Sequence, residues 1–190
     1  MFKFKKTSLL ILMFYISIYL PLSFTIYSDT WYYENYESQI VTSVVSEDVV
    51  SDATDGLISY FLHKGELDWP WNEKEVIHMS EVRLIYDVMF ILGLLSMFLF
   101  SYMFKREEVK PLIKINILLL VLLSLCLVNF NFFWDYIFHP LFFSNNLWIT
   151  TPDDISYYLF PYEFFRNSGI FIILSGIVIN VVGYIGLKKN

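Results

Sequence analysis

Among 190 residues there is one cysteine, Cys126, and only three histidines, His63, His78 and His139. A single cysteine excludes an intrachain disulfide, and Cys126 lies inside an apolar run, where a thiol packs as a small hydrophobe. Gly-x-Ser-x-Gly, Cys-x-x-Cys, a P-loop, Gly-x-Gly-x-x-Gly and His-Glu-x-x-His are all missing. A covalent acyl-enzyme, dithiol redox chemistry, nucleotide binding and zinc proteolysis therefore lack their usual signatures. Internal repeats and low-complexity tracts are absent as well. Charge is missing from four long stretches, 9–26, 88–103, 115–134 and 168–187.

What fills those stretches is apolar: the chain is 56% hydrophobic and 20% aromatic. About 20 helical residues cross a hydrocarbon core of about 30 Å, and backbone in lipid must satisfy its own hydrogen bonds. The expected fold is an all-α membrane protein, a single domain over 1–190, with four transmembrane helices at about 8–27, 85–105, 112–133 and 168–187. The first run follows Lys3, Lys5 and Lys6, but it is long for a signal sequence and no Ala-x-Ala follows it, so it is expected to remain as an anchor.

Orientation follows the basic residues. With the N-terminus inside, the inner segments hold nine of the 13 basic residues, and only Lys64, Lys74, Arg83 and Arg166 lie outside. Of the 19 acids, all but Glu107 and Glu108 fall outside. Both termini are then cytoplasmic in an integral, multi-pass plasma-membrane protein. The outer segments, about 28–84 and 134–167, form a small extracellular cap. So acidic an outer face excludes nucleic acid as a partner.

In the first outer segment, apolar positions from Ile40 to Val50 recur at helix-like spacing, and 55–62 reads as a short amphipathic helix. Asn72 with Glu75 three residues on is a capping-box pattern, so a helix should start there and run on to about Arg106, its first turns standing clear of the apolar run. The second outer segment carries eleven aromatic residues between 135 and 167. That density suits an interfacial segment whose rings are wet at one edge.

Two histidines sit just outside the spans. His78 lies between Glu75 and Glu81, either of which can fix its tautomer at helical spacing. His139 follows the third apolar run. Placed at one depth and on one face, the pair would make an acid/base site at a lipid–water boundary, because imidazole titrates nearest neutrality. Each alone is ordinarily structural or solvated. Glu75-x-x-His78 is half of a di-iron ligand pattern, but no second half exists, so no metal and no cofactor are expected. Asp87 and Asp135 at span ends are modest further signals. Asn146, Asp153 and Asp154 are ordinarily turn formers. His63, in what looks like an exposed helix end, is assigned no role.

His78-Met79-x-Glu81-Val82-Arg83 resembles the first conserved element of a family of bacterial integral membrane proteins that includes the lipoprotein intramolecular transacylases (Lit). Phe138-His139-x-x-Phe142-Phe143-x-Asn145-x-x-Trp148, then Asp154 and Phe160-Pro161-x-x-Phe164-Phe165, resembles its second. Glu81 stands where the family element carries aspartate, which keeps a carboxylate and changes its reach. The resemblance covers nearly the whole chain and implies an O-to-N acyl shift. The sn-2 acyl chain of a diacylglyceryl-cysteine lipoprotein moves to the free cysteine α-amine, giving a lyso-form lipoprotein. His78 and His139 are then expected as catalytic residues on the extracellular side, Arg83, the basic residue nearest His78, at the ester or oxyanion, and Glu81, Asn146, Trp148 and Asp154 as further substrate or oxyanion residues. The implied partners are a diacylated lipoprotein and membrane lipid. The sequence leaves oligomeric state open. The same histidine pair would serve a lipid ester hydrolase, and a non-catalytic scaffold is the reading from another class.

Overall fold

The computed structural model describes residues 2–38 and 41–189, and all regular structure among them is helical. In chain order the helices are α1 (Phe2–Tyr27), α2 (Asp29–Ser38), α3 (Glu47–Phe61), α4 (Glu73–Met103), α5 (Arg106–Leu123), α6 (Phe130–Phe133), α7 (His139–Phe142), α8 (Ile155–Leu159) and α9 (Tyr162–Lys189). Ile40 lies outside the described residues, and Val41–Ser43 is a single 3-10 turn. Four helical segments are long and apolar enough to cross a membrane: Phe4–Tyr27, Glu73–Met103, Arg106–Leu127 and Tyr162–Lys188. In the most apolar window of α4 only 11% of residues are buried within the protein. An apolar surface so bare is stable facing lipid, not water.

The chain gathers into two compact units. One contains the residues up to Ser23, Val88–Val128 and those from Gly169 onward. Leu9, Met13, Val109, Leu112 and Ile113 form its buried apolar cluster. Beside it lies a polar knot. Asn116 Nδ2 donates to Ser17 Oγ (3.0 Å) and Asn180 Oδ1 (2.9 Å), and Asn180 Nδ2 donates to Ser17 Oγ and to the Gly176 carbonyl, both at 2.8 Å. Three helices are thereby tied through residues that are all buried. A Cβ at Gly176 would lie 2.7 Å from the Ser17 carbonyl oxygen, so glycine there sets how closely α9 approaches α1. Gly93 likewise leaves room for the Tyr19 ring.

The third apolar run does not continue as one helix to 133. After Leu123 the backbone tightens into a 3-10 turn at Ser124–Leu127, and Asn129 leaves the helical region (φ −127°, ψ 71°). The Ser124 hydroxyl donates to the Val121 carbonyl (2.6 Å), one of the side-chain bonds that compete with the helical ladder.

The second unit contains Phe24–Asp87 and Asn129–Ser168. Tyr32 and Tyr36 of α2 are buried against Phe164, with ring centroids 5.6 and 6.4 Å away. The amphipathic α3 buries Val50, Ala53, Thr54, Leu57, Tyr60 and Phe61, and Trp71 reaches back to it, donating to the Ala53 carbonyl (3.2 Å). Two residues past the end of α3, His63 has a left-handed φ of 56°, and its Nε2 lies 2.8 Å from Asp87 Oδ1. The capping box of α4 is complete: Asn72 N–H donates to Glu75 Oε2 (3.0 Å) and Glu75 N–H to Asn72 Oδ1 (3.1 Å).

Replacing Asn116 with leucine should lower stability by about 1–3 kcal/mol, because Ser17 and Asn180 lose a buried partner they cannot replace in an apolar setting. Thermal unfolding in detergent micelles measures the effect, and an unchanged or raised midpoint would show that the knot contributes nothing.

Candidate active site

The second unit holds a cavity of about 510 Å³. His78 and Met79 of α4, Trp134, His139 and Trp148, and Phe160 and Phe165 are among its walls. No lysine or arginine is among the lining residues. Apolar and aromatic surface around a few polar groups is the usual character of a small-molecule site.

The capping box positions His78. Glu75 is buried, and its Oε1 accepts from the N–H (2.8 Å) and hydroxyl (2.6 Å) of Ser156 in α8, while Oε2 accepts from Asn72. One carboxylate therefore fixes the start of α4 to the chain that forms the opposite wall. His78 stands one turn further along. Its Nδ1 lies 3.6 Å from Glu81 Oε2, too long for a hydrogen bond, and neither atom has another partner. The second Glu81 oxygen accepts from Asn145 Nδ2 (2.7 Å).

His139 follows a wide π-helical turn, Trp134–Phe138, a feature frequent at functional sites. Pro140 comes next and has no N–H to continue a regular ladder. The Trp134 carbonyl receives both the backbone N–H of His139 and its ring Nδ1, the latter at 2.8 Å. A carbonyl can only accept, so Nδ1 carries a proton and the neutral ring keeps its lone pair on Nε2. Trp148 stacks on the ring at 4.1 Å and 18°, and Trp134 meets it edge-on at 4.7 Å. Phe143 touches both histidines, with centroids 4.7 Å from His78 and 5.7 Å from His139, so the two imidazoles lie no more than 10.4 Å apart.

Burial lowers the pKa of both rings. At His78 the Glu81 carboxylate works against that shift, and at His139 the Trp134 carbonyl and Asp135 do. Two neutral imidazoles at neutral pH, one with a defined free nitrogen, form an acid/base pair ready to accept a proton.

The other sequence-derived candidates divide. Glu81 and Trp148 belong to the site through His78 and His139. Asp154 does not line the cavity. It is buried and takes Lys74 Nζ (2.6 Å), Asn72 Nδ2 (2.8 Å), Thr151 N–H (2.6 Å) and Thr151 Oγ1 (3.0 Å). Burial pushes its carboxyl up, but these bonds outweigh it and hold the pKa at about 2. Its work is to clasp the 151–156 segment to the start of α4. Asn146 is exposed, and its carbonyl accepts from Ile149 N–H (3.2 Å) in a turn. Arg83 lies with its guanidinium 3.9 Å over the Tyr60 ring. Five residues from His78 is roughly 140° around the helix, so the geometry gives no support to an oxyanion role. Asn145, absent from the candidate set, is the residue in contact with Glu81. Its signal was its place in the second family-like block, where Asn146 is not a motif position; helical or strand spacing gave none, because the two asparagines sit in an irregular turn where one register step decides which side chain turns inward. Asp135 lines the cavity and accepts from the Tyr162 hydroxyl (2.8 Å). No group of three or more potential metal ligands occurs among the described residues.

Ring-proton NMR titration should place both histidine midpoints below the ordinary 6.5. A reaction that needs the neutral rings would then hold its rate from neutral pH down past that value and fall only on a more acidic limb. A midpoint above 6.5 at either ring would contradict burial as the dominant influence.

The protein as a whole is similar to solved membrane proteins. The in meso structure of the membrane-integral lipoprotein intramolecular transacylase Lit from Bacillus cereus matches with a TM-score of 0.83 at 20% identity, covering 98% of this chain and 95% of that one. Two variants of the Bacillus cereus protein, with one histidine replaced by alanine or by arginine, match with TM-scores of 0.77 and 0.74 at 18% and 19% identity. Each of those alignments covers 98% of this chain and 92% of the other. At this identity the likeness establishes the fold: a helical, integral membrane protein. A sequence search of curated proteins finds no match. The family model of lipoprotein intramolecular transacylase Lit matches residues 7–165, which include both histidine-bearing segments, and on that match the chain belongs to the lipoprotein intramolecular transacylase (Lit) family.

Proposed function

We propose that this chain moves the sn-2 acyl chain of a diacylglyceryl-cysteine lipoprotein onto the cysteine α-amine, with His78 and His139 handling the protons. The observation that carries this reading is that both imidazoles line one largely apolar cavity and touch the same phenylalanine. An α-amine has a pKa of about 7.7–8.0, within reach of a neutral imidazole near neutral pH.

In the reaction, the α-amine nitrogen attacks the ester carbonyl carbon. A C–N bond forms, and the nitrogen gives a proton to an imidazole. The C–O bond to glycerol then breaks, and the glycerol oxygen takes a proton from an imidazolium. One proton leaves nitrogen and one reaches oxygen, so the pair ends the turnover as it began. His139, with its lone pair on Nε2, is suited to accept the first proton. That proton passes from His139 to His78, whose cation the Glu81 carboxylate favours, and His78 then delivers it to the glycerol oxygen, facing the charge that develops on the carbonyl oxygen on the way. Both reacting groups belong to one substrate, so positioning supplies much of the acceleration. Exchange of an ester for an amide needs no external energy source.

The arrangement in the membrane belongs to the same reading. Both termini are cytoplasmic, the four apolar segments span, and segments 28–84 and 134–167 form an outer cap over a site that opens to the outer leaflet. The distribution of basic residues supports this orientation. The substrate requires it too, since its acyl chains stay in lipid while its cysteine lies at the surface.

Expression in cells lacking the activity, followed by mass spectrometry of lipoprotein N-termini, should yield lyso-form species carrying an N-acyl group. His78→Ala or His139→Ala should each reduce conversion roughly 10²–10⁴-fold while leaving the protein inserted. Near-full conversion by either variant would remove that residue from the chemistry. Free fatty acid in place of N-acylated product would make the protein an ester hydrolase.

A further inference from the structure

Asn145 touches the supports of both histidines. Its Nδ2 donates to Glu81 Oε1 (2.7 Å), and Glu81 presents its other oxygen to His78 Nδ1 at 3.6 Å. Its main-chain carbonyl accepts from the Trp148 indole Nε1 (3.1 Å), and Trp148 stacks on His139 at 4.1 Å. Its Oδ1 accepts from Leu147 N–H (3.0 Å), closing the turn that aims both other groups. These bonds fix the amide orientation, because nitrogen must face the carboxylate and oxygen the N–H.

We infer that Asn145 is a positioning residue that orients the two imidazoles together, holding the Glu81 carboxylate toward His78 with its side chain and the Trp148 plate against His139 with its backbone. This assignment rests on the two-histidine reading above. Without Asn145 the Glu81 side chain, partly exposed, is free to swing toward water. The neutral His78 ring then loses the carboxylate that bears on its tautomer, since among the described residues Nδ1 has no hydrogen-bond partner and Glu81 faces it across an open 3.6 Å contact. Displacement of about 1 Å at such a group can cost about 100-fold in rate.

The charged and titratable groups that bear on these rings are few. Glu81, Lys74 and His139 act on His78, and Asp135 acts on His139. Moving the Glu81 charge is therefore readable in a pH profile. Three variants separate positioning from mere structure. Asn145→Asp keeps the Oδ1 acceptor for Leu147 but sets an acceptor against Glu81. Glu81→Gln removes the charge. The double variant Glu81→Gln/Asn145→Asp restores the hydrogen bond in reverse and moves the carboxylate one side chain away from His78.

The measurements are kcat and KM for acyl transfer in detergent–lipid micelles between pH 5 and 9, with a thermal unfolding midpoint for each protein. Asn145→Asp should lose about 10- to 100-fold in kcat with KM nearly unchanged. The double variant should regain the unfolding midpoint but not kcat. Its acidic limb should move to lower pH, because His78 loses the neighbour that favours its cation. Wild-type kcat and pH profile in Asn145→Asp, or full recovery of kcat in the double variant, would overturn the assignment. If His78→Ala and His139→Ala retain activity, the two-histidine reading itself fails. If they abolish it while the Asn145 variants behave as wild type, only the role of Asn145 falls.

Discussion

Glu75 joins two parts of the chain that lie far apart in sequence, and the site depends on that junction. Its carboxylate closes the N-terminal cap of α4 at Asn72 and grips both donors of Ser156. The side chain is almost wholly buried, so each bond is made out of reach of water. Hydrogen bonds to a charged group contribute about 1.5–3 kcal/mol each, and a buried carboxylate stripped of its donors is strongly destabilising. The site wall that contains Ser156 and the helix that carries His78 are thus fixed to each other by one residue. Asp154, two residues before Ser156, repeats the arrangement from the loop side through Lys74, Asn72 and Thr151. Neither carboxylate has a free oxygen for chemistry. Their geometry is that of a frame.

Inside that frame the two histidines are treated differently. His139 is enclosed by Trp134, Phe138, Phe143 and Trp148 and held by a carbonyl, which fixes its tautomer outright. His78 faces a carboxylate across a gap of 3.6 Å. Both acceptors work against the lowering by burial: the Trp134 carbonyl fixes which nitrogen of His139 carries its proton, whereas the Glu81 carboxylate brings a full charge whose interaction gains strength when His78 takes up a proton. One site therefore contains an imidazole with a defined free nitrogen and another whose charge a carboxylate balances once it takes up a proton. Environments that push two similar groups toward different protonation states are how acid and base roles are divided at a single pH.

Much of this was legible in the sequence, for reasons that can be stated. The cap at Asn72-x-x-Glu75 follows from helical spacing, which is local and rigid; the same spacing put both Glu75 and Glu81 beside His78, and Glu81 is left to face it because Glu75 is taken by Asn72 and Ser156. The four apolar runs follow from composition. The end of α5 at Leu123 was not visible, because 115–134 is uniformly apolar and such a run carries no signal for where the helix stops. Nearness in sequence drew attention to Arg83, but sequence distance carries no angle: five positions along a helix place a side chain on another face, where the Arg83 guanidinium lies over Tyr60. The choice of Asn145 over Asn146 depends on the turn at 143–149, where no period relates sequence to direction. The π-helical turn before His139 was equally hidden, although Pro140 marks the spot where a regular ladder fails.

The two polar clusters of the chain differ in what they can do chemically. The Ser17–Asn116–Asn180 knot contains no group that titrates near neutrality; its donors are all matched to acceptors, and its one unbonded atom is the neutral amide oxygen of Asn116. It can hold helices together and has no means of moving a proton. Around His78 the unbonded atoms belong to ionisable groups. A ring nitrogen and a carboxylate oxygen sit buried, close and unbonded. Such a gap costs stability in the resting protein, and it persists because Glu75 holds α4 and Asn145 holds Glu81. A proton arriving at His78 would turn the open contact into a charge-assisted hydrogen bond. For the proposed acyl shift, the interaction is then strongest when the ring is cationic, the state from which it can protonate the departing glycerol oxygen, and weakest in the empty site.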